Sequence, residues 1–188
     1  MKEALNRGMQ VTAIVRHPEK ITIKDANLTV KKGDVTDIDK IARLSKGADV
    51  IVSAYNPGWN NPDIYEETLS VYPKILEAVK KSGVPRFLMV GGAGTLFVEP
   101  GVRLIDSGMI PETILPGVKS LGEFYWVFFS PAANLFPGKR TGKFRLGKDN
   151  MIVDDQGESS VSVEDYAVAM IDEVEYPAHH YERFTIGY

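Results

Sequence analysis

Residues 48–58 read Ala-Asp-Val-Ile-Val-Ser-Ala-Tyr-Asn-Pro-Gly, and their reading decides the fold. Val50, Ile51 and Val52 make a short apolar run of β-branched residues. Gly47 precedes it, and Asn56-Pro57-Gly58 stops it. A run without polar alternation predicts a strand covered on both faces, as strands are in a parallel sheet inside α/β layers. The small Ser53 and Ala54 stand where the strand ends. In open α/β sheets, ligands bind outside the carboxyl ends of the strands.

Toward the N-terminus, Ile38, Ile41, Ala42 and Leu44 lie near helical spacing, with Thr36 or Asp37 as the cap. Leu28–Lys32 and Gln10–Arg16 predict strands, the second closed by His17-Pro18 because proline has no N–H for a ladder. Lys2–Arg7 reads as the last turns of a helix with Gly8 at its C-cap. Toward the C-terminus, residues 61–81 carry the longest helical pattern, which Pro73 should kink or break. Arg86–Val90 predicts another buried strand, running into Gly91-Gly92-Ala93-Gly94-Thr95. Residues 96–116, with little periodicity, predict a loop. Val118–Tyr125 predicts a helix, Trp126–Ser130 a strand and Thr141–Asp154 an exposed hairpin. Ser162–Asp165 resembles a capping box for a helix reaching about Glu175, and Arg183–Tyr188 predicts a closing strand. Strands alternate with helices, which implies right-handed βαβ units. The expected fold is α/β, a Rossmann-type doubly wound parallel sheet with helices on both faces. No linker divides the chain, so a single domain over residues 1–188 is expected, with 96–118 and 134–160 as variable substrate-side segments.

The formal charge of −3 argues against a nucleic-acid binder held by bulk charge. No apolar run reaches the roughly 18 residues of a membrane span. The first residues lack the apolar core of a signal peptide, so the cytoplasm is the expected compartment. The absence of cysteine excludes disulfides, thiolate nucleophiles and cysteine metal sites. His179-His180 reads as a surface pair, and no further ligand accompanies it, so no metal is expected.

Val11–Arg16, Gly33–Asp37, Gly47–Val52, Arg86–Val90, Lys119-Ser-Leu-Gly-Glu123 and Val161–Asp165, in this order and spacing, resemble the atypical short-chain dehydrogenase/reductases. This is the NAD(P)H-binding group that includes flavin reductases, epimerase/dehydratase-like proteins and NmrA-like sensors. The family begins with a strand and a Gly-x-x-Gly-x-x-Gly turn that brings helix N–H groups to the pyrophosphate. Here the first strand and the Gly-rich turn are missing from the sequence, and Phe124-Tyr125 runs directly into Trp126. Two readings stand: segments are absent from the sequence as given, or the protein is truncated and binds dinucleotide poorly.

The resemblance implies a nicotinamide nucleotide as cofactor. Arg16 stands where NAD-preferring folds often carry an acid, and a guanidinium suits a 2′-phosphate, so NADP is expected, with NAD as the alternative. His17 either assists or serves only the turn before Pro18. Asp34 and Val35 match the pair beside the adenine, although Asp34 equally fits an Asx turn. Ser53, Ala54 and Tyr55 match the segment lining ribose and nicotinamide, with Tyr55 as core filler in the other reading. Val90, Gly91 and Gly92 end a strand where many relatives carry a catalytic hydroxyl. Here that group is missing unless Thr95 supplies it, and the glycines also fit a turn of positive φ. Lys119 aligns with the lysine of the Tyr-x-x-x-Lys pair, as a cofactor-ribose ligand and the one catalytic candidate. Leu115 replaces the tyrosine, and a leucine cannot protonate a carbonyl. Pro131, Ala132 and Ala133 match backbone that meets the nicotinamide. Arg140, Arg145 and Lys148 fit either an anionic substrate or a solvated face.

The expected activity is NADPH-dependent reduction of a flavin, quinone or small carbonyl, the small-molecule substrate being otherwise unspecified. The alternatives are a non-enzymatic NAD(P)-sensing regulator of the NmrA-like kind and a sugar-nucleotide epimerase/dehydratase. Neither nucleic acid nor membrane is an expected partner, and the sequence leaves the oligomeric state open.

Overall fold

The structure, a computed structural model, describes residues 1–121 and 128–188. Its elements in chain order are α1 (Lys2–Asn6), β1 (Val11–Val15), β2 (Leu28–Lys32), α2 (Ile38–Ser45), β3 (Ile51–Ser53), α3 (Ile64–Ser82) and β4 (Phe87–Val90). Then come β5 (Phe97–Glu99), β6 (Val102–Arg103), α4 (Leu115–Leu121), β7 (Phe128–Ser130), β8 (Asn134–Phe136) and β9 (Arg145–Gly147). β10 (Ser160–Ser162), α5 (Val163–Glu175) and β11 (Arg183–Gly187) complete the chain. The residues form two compact units, Met1–Ile51 with Ser70–Phe87, and Val52–Leu69 with Leu88–Tyr188. Among the described residues no helix is long and apolar enough to cross a membrane.

In the first unit β1 and β2 pair in parallel, from Val11 opposite Leu28 to Val15 opposite Lys32. Gly8, at φ +75°, ends α1 in the left-handed conformation that glycine adopts without a Cβ penalty. Asp37, not Thr36, caps α2 by accepting the Lys40 N–H at 3.0 Å. Ile41, Ala42, Val71, Tyr72, Ile75 and Ala78 are buried. α3 runs through Pro73 without the expected break. Pro73 is exposed, so the carbonyl freed four residues earlier can turn to water.

The second unit holds a five-stranded sheet in the order β3-β4-β7-β11-β9. β4–β7 and β7–β11 are parallel, while β9 is antiparallel to β11. Phe129 of β7 is fully buried and stacks on Tyr166 at 4.3 Å and on Phe184 at 4.1 Å. Three sequence expectations fail here. β3 is not covered on both faces: Val52 is 41% exposed, and among the described residues β3 stands at the edge of this sheet. Residues 96–116 are not a plain loop, since β5 and β6 form an antiparallel hairpin too short to show periodicity. Residues 141–154 are not a hairpin, because β9 pairs instead with the distant β11, and β8 with β10. The helix expected over Val118–Tyr125 is α4, three residues earlier in its start; its residues beyond Leu121, and Trp126–Val127 of the expected strand, lie outside the described residues.

The start of α5 is tied down by its own side chains. Ser162 Oγ accepts the Asp165 N–H at 3.0 Å, half of a capping box. The reciprocal half is absent because Asp165 is otherwise engaged. Its fully buried carboxylate accepts the N–H groups of Thr141 and Gly142, each at 2.8 Å, and the Tyr188 hydroxyl at 2.8 Å. The Thr141 hydroxyl donates to it as well. Burial alone would raise the Asp165 pKa, but these hydrogen bonds together hold it below the ordinary aspartate value.

Candidate functional site

The first unit carries a cavity of about 340 Å³ at the carboxyl ends of β1 and β2, lined by Arg16, His17, Lys32, Gly33, Asp34, Asp37 and Lys40. Two strand ends and the first turn of α2 build it. Gly33 sits in the strand-to-helix turn with its N–H on the Val15 carbonyl at 3.0 Å. A Cβ there would stand 2.5 Å from Ile14 Cγ2 and 3.2 Å from Ile41 Cδ1, so only glycine keeps the turn this close to the sheet.

The acids and bases of the cavity are engaged differently. Asp34 Oδ1 accepts the Thr36 N–H at 2.9 Å and the Thr36 hydroxyl at 2.7 Å, an Asx turn. Those two bonds, then nearby Arg16, hold its pKa below the usual aspartate value. Asp37 is engaged as the cap of α2. By contrast, the charged groups of Arg16, Lys32 and Lys40 make no hydrogen bond or ion pair among the described residues. His17 contacts Glu19 at 3.0 Å on the surface. Both carboxylates therefore serve the backbone while three cations face open space, and such a donor set fits an anion. Lys32 and Lys40 were missed in the sequence. One ends a strand and the other sits inside a helix turn, and only folding brings them to Arg16. Val35 is half-buried and is not part of the cavity lining.

The second unit places the other candidates at strand ends. Ser53 closes β3 and is buried, Ala54 is exposed, and Tyr55 is half-buried. Tyr55 donates its hydroxyl to Glu67 Oε1 at 2.8 Å. Val90 closes β4, and the Gly91 N–H donates to the Phe129 carbonyl at 2.9 Å, extending the β4–β7 ladder by one bond. The glycine run is not a turn of positive φ, for Gly91, Gly92 and Gly94 all lie outside that region. Its purpose is close approach: a Cβ on Gly91 would overlap the Phe128 ring, and one on Gly94 would overlap Val118. Thr95 does not supply the missing hydroxyl to a ligand. It is buried, and both its Oγ1 and its carbonyl accept Arg183 Nη1, at 2.7 and 2.8 Å. Pro131 and Ala132 are buried after β7, and the Ala133 N–H donates to Ser159 Oγ at 3.2 Å. Lys119 is exposed on α4, and Leu115 begins that helix.

Other expected ligands are used within the protein. Arg145 Nη2 donates to the carbonyls of Val153 and Tyr188, and Lys148 pairs with Glu182 at 2.8 Å. The surface reading of the histidine pair fails for His179. It lies 2.7 Å from the buried Glu173 and stacks on Phe184 at 4.1 Å, because the chain folds back from α5 into β11. Among the described residues no group of three or more His, Cys, Asp or Glu could hold a metal.

Comparison with known proteins settles the family. Residues 1–115 match a family model described as NAD(P)H-binding. The chain belongs to this NAD(P)H-binding family. Like other structures of the NAD(P)H-binding family, it has the Rossmann-type α/β fold. The uncharacterised YwnB of Bacillus subtilis is 39% identical over 199 residues, spanning 99% of this chain and 90% of that protein. A Bacteroides thetaiotaomicron protein provisionally named an epimerase has a solved structure 61% identical in sequence, with a TM-score of 0.93, covering 100% of this chain and 89% of that one. A Streptococcus pneumoniae protein provisionally named an NADH-flavin reductase is 30% identical with a TM-score of 0.80, covering 99% and 90%.

Proposed function

We propose that the protein is an NADPH-dependent reductase of a flavin, quinone or small carbonyl. The observation that carries this reading is the cavity in which Arg16, Lys32 and Lys40 are left open while Asp34 and Asp37 are bound to backbone. A ribose 2′-phosphate is a dianion with three acceptor oxygens, and this donor set suits it better than a neutral 2′-hydroxyl. In NADPH binding, Arg16, Lys32 and Lys40 hold the 2′-phosphate, and Gly33 admits it by lacking a Cβ. Asp34 and Val35 serve the adenine side. In the second unit, the family resemblance assigns Ser53, Ala54, Val90, Gly91 and Gly92, with Pro131, Ala132 and Ala133, to a nicotinamide, and Lys119 to a ribose. The nicotinamide, when bound, supplies the hydride.

The protein's own residues constrain the acceptor. Leu115 moves no proton, and Thr95 is held by Arg183. An acceptor whose ring stabilises the added electron pair needs no such acid, which favours flavin or quinone and weakens the epimerase alternative. The test is NADPH consumption across flavins, quinones and small carbonyls, with NADH beside it. Turnover with NADPH is expected, and none with any acceptor refutes the reading. The same lack of an acid supports a second reading, a non-enzymatic NAD(P) sensor. A pull-down whose partners change with NADP supports that one, and an identical set with and without NADP removes it.

A further inference from the structure

Trp59 is 51% exposed, yet the loop that carries it is tightly held. Glu67 on α3 grips the loop from both carboxylate oxygens: Oε1 accepts the Tyr55 hydroxyl at 2.8 Å and Oε2 accepts Asn61 Nδ2 at 2.7 Å. Between those anchors the Gly58 N–H donates to Asn56 Oδ1 at 2.7 Å, and Gly58 takes φ +116°. The indole lies against α4 at Gly117. A Cβ on Gly117 would stand 2.7 Å from Ile64 Cδ1 and 3.0 Å from Trp59 Cζ3, so glycine at this helix position makes room for Ile64 first and for the edge of the indole with it. The next residue of α4, Val118, packs on Gly94 beyond the end of β4, and Lys119 follows it. The ring therefore lies against the helix that carries Lys119, on a loop held at both ends by Glu67.

We propose that Trp59 is the specificity-determining wall of the acceptor site, stacking on a planar conjugated ring. This rests on the reductase reading and narrows it, excluding small aliphatic carbonyls. An exposed indole on a mobile loop would lose ordering entropy when it stacked, and this one is already fixed. Its remaining exposed surface is suited to a flat π-system of flavin or quinone type.

The experiment compares wild type with Trp59→Ala and Trp59→Phe, using FMN, menadione and an aliphatic aldehyde as acceptors. For Trp59→Ala, KM for FMN or menadione should rise about 5- to 150-fold, the range of aromatic–base stacking. The calorimetric Kd for NADPH should stay unchanged, and Trp59→Phe should recover most of the loss. A larger effect on FMN than on menadione identifies the flavin as the better ring, and the reverse the quinone. Direct binding keeps the test independent of turnover: with Trp126 replaced by Phe, FMN or menadione added to the NADP-loaded protein should quench Trp59 fluorescence. Equal KM values in wild type and Trp59→Ala, or no quenching by either ring, overturn the inference. Absence of NADPH binding or oxidation in wild type instead refutes the reductase reading.

Discussion

Replacing Asp165 tests how the second unit is held together. Its carboxylate accepts two N–H groups from residues 141–142 and two hydroxyls, from Thr141 and Tyr188, with no exposed surface of its own. Four bonds to a charged group at roughly 1.5–3 kcal/mol each would rival the entire stability of a domain, so they do not add. Asp165→Ala leaves four part-buried donors without their acceptor, and at about 1–3 kcal/mol for an unsatisfied group, less than additively, the loss should be about 3–5 kcal/mol. Asp165→Asn keeps an oxygen for the two N–H groups while losing the charge, and should cost about 1–2 kcal/mol. Urea unfolding measures both. With a slope of about 2 kcal/mol/M, the midpoint should fall by about 2 M for Ala and up to about 1 M for Asn, at unchanged slope. The pH dependence has a definite sign. The folded pKa lies below that of the unfolded chain, so the charge contributes fully above the unfolded value near about 4. That contribution is lost as pH falls through the folded pKa. The gap between wild type and Asp165→Asn should therefore be widest near neutrality and close in acid. An Asn variant as stable as wild type at pH 7, or a gap that ignores pH, refutes the reasoning.

Removing a cation from the first-unit cavity should act selectively. Arg16→Ala and Lys40→Ala should each weaken NADPH binding about tenfold and leave NADH nearly unchanged, as one lost charge-assisted contact of roughly 1–2 kcal/mol implies. Calorimetry with both nucleotides checks this. Gly33→Ala puts a methyl 2.5 Å from Ile14 Cγ2, and urea unfolding should show a loss of about 1–3 kcal/mol. Thr95→Val removes the hydroxyl that accepts from Arg183, leaves the carbonyl that also accepts from it, and removes no acid of the reaction, so kcat with FMN should hold within about twofold while stability falls by about 1 kcal/mol.

The elements that were legible in the sequence are those whose residues carry their own signal. β2 occupies Leu28–Lys32 and α5 runs from Val163 to Glu175, as their patterns and the Ser162 cap indicate. What sequence could not show depends on distant partners. Arg145–Gly147 looks like one arm of a local hairpin, yet its ladder is with Thr185–Gly187. Gly91 and Gly94 invite a turn reading, although the reason for them is the space taken by Phe128 and Val118. At the site, Arg16 and Asp34 were singled out through the family resemblance, Asp34 with an Asx turn as the other reading, and the structure puts both in one cavity. Lys32 and Lys40 were not, since a lysine on a strand or helix reads as solvated surface until its neighbours are known. His179 was misplaced for a related reason: the buried Glu173 that holds it lies on α5, six residues earlier.

The most direct measurement is the affinity of the protein for NADPH and NADH, determined side by side by calorimetry at one ionic strength. The open cations of the cavity require NADPH to bind at least about tenfold more tightly, with the difference shrinking as salt is raised. Equal affinities, or tighter binding of NADH, would contradict the account.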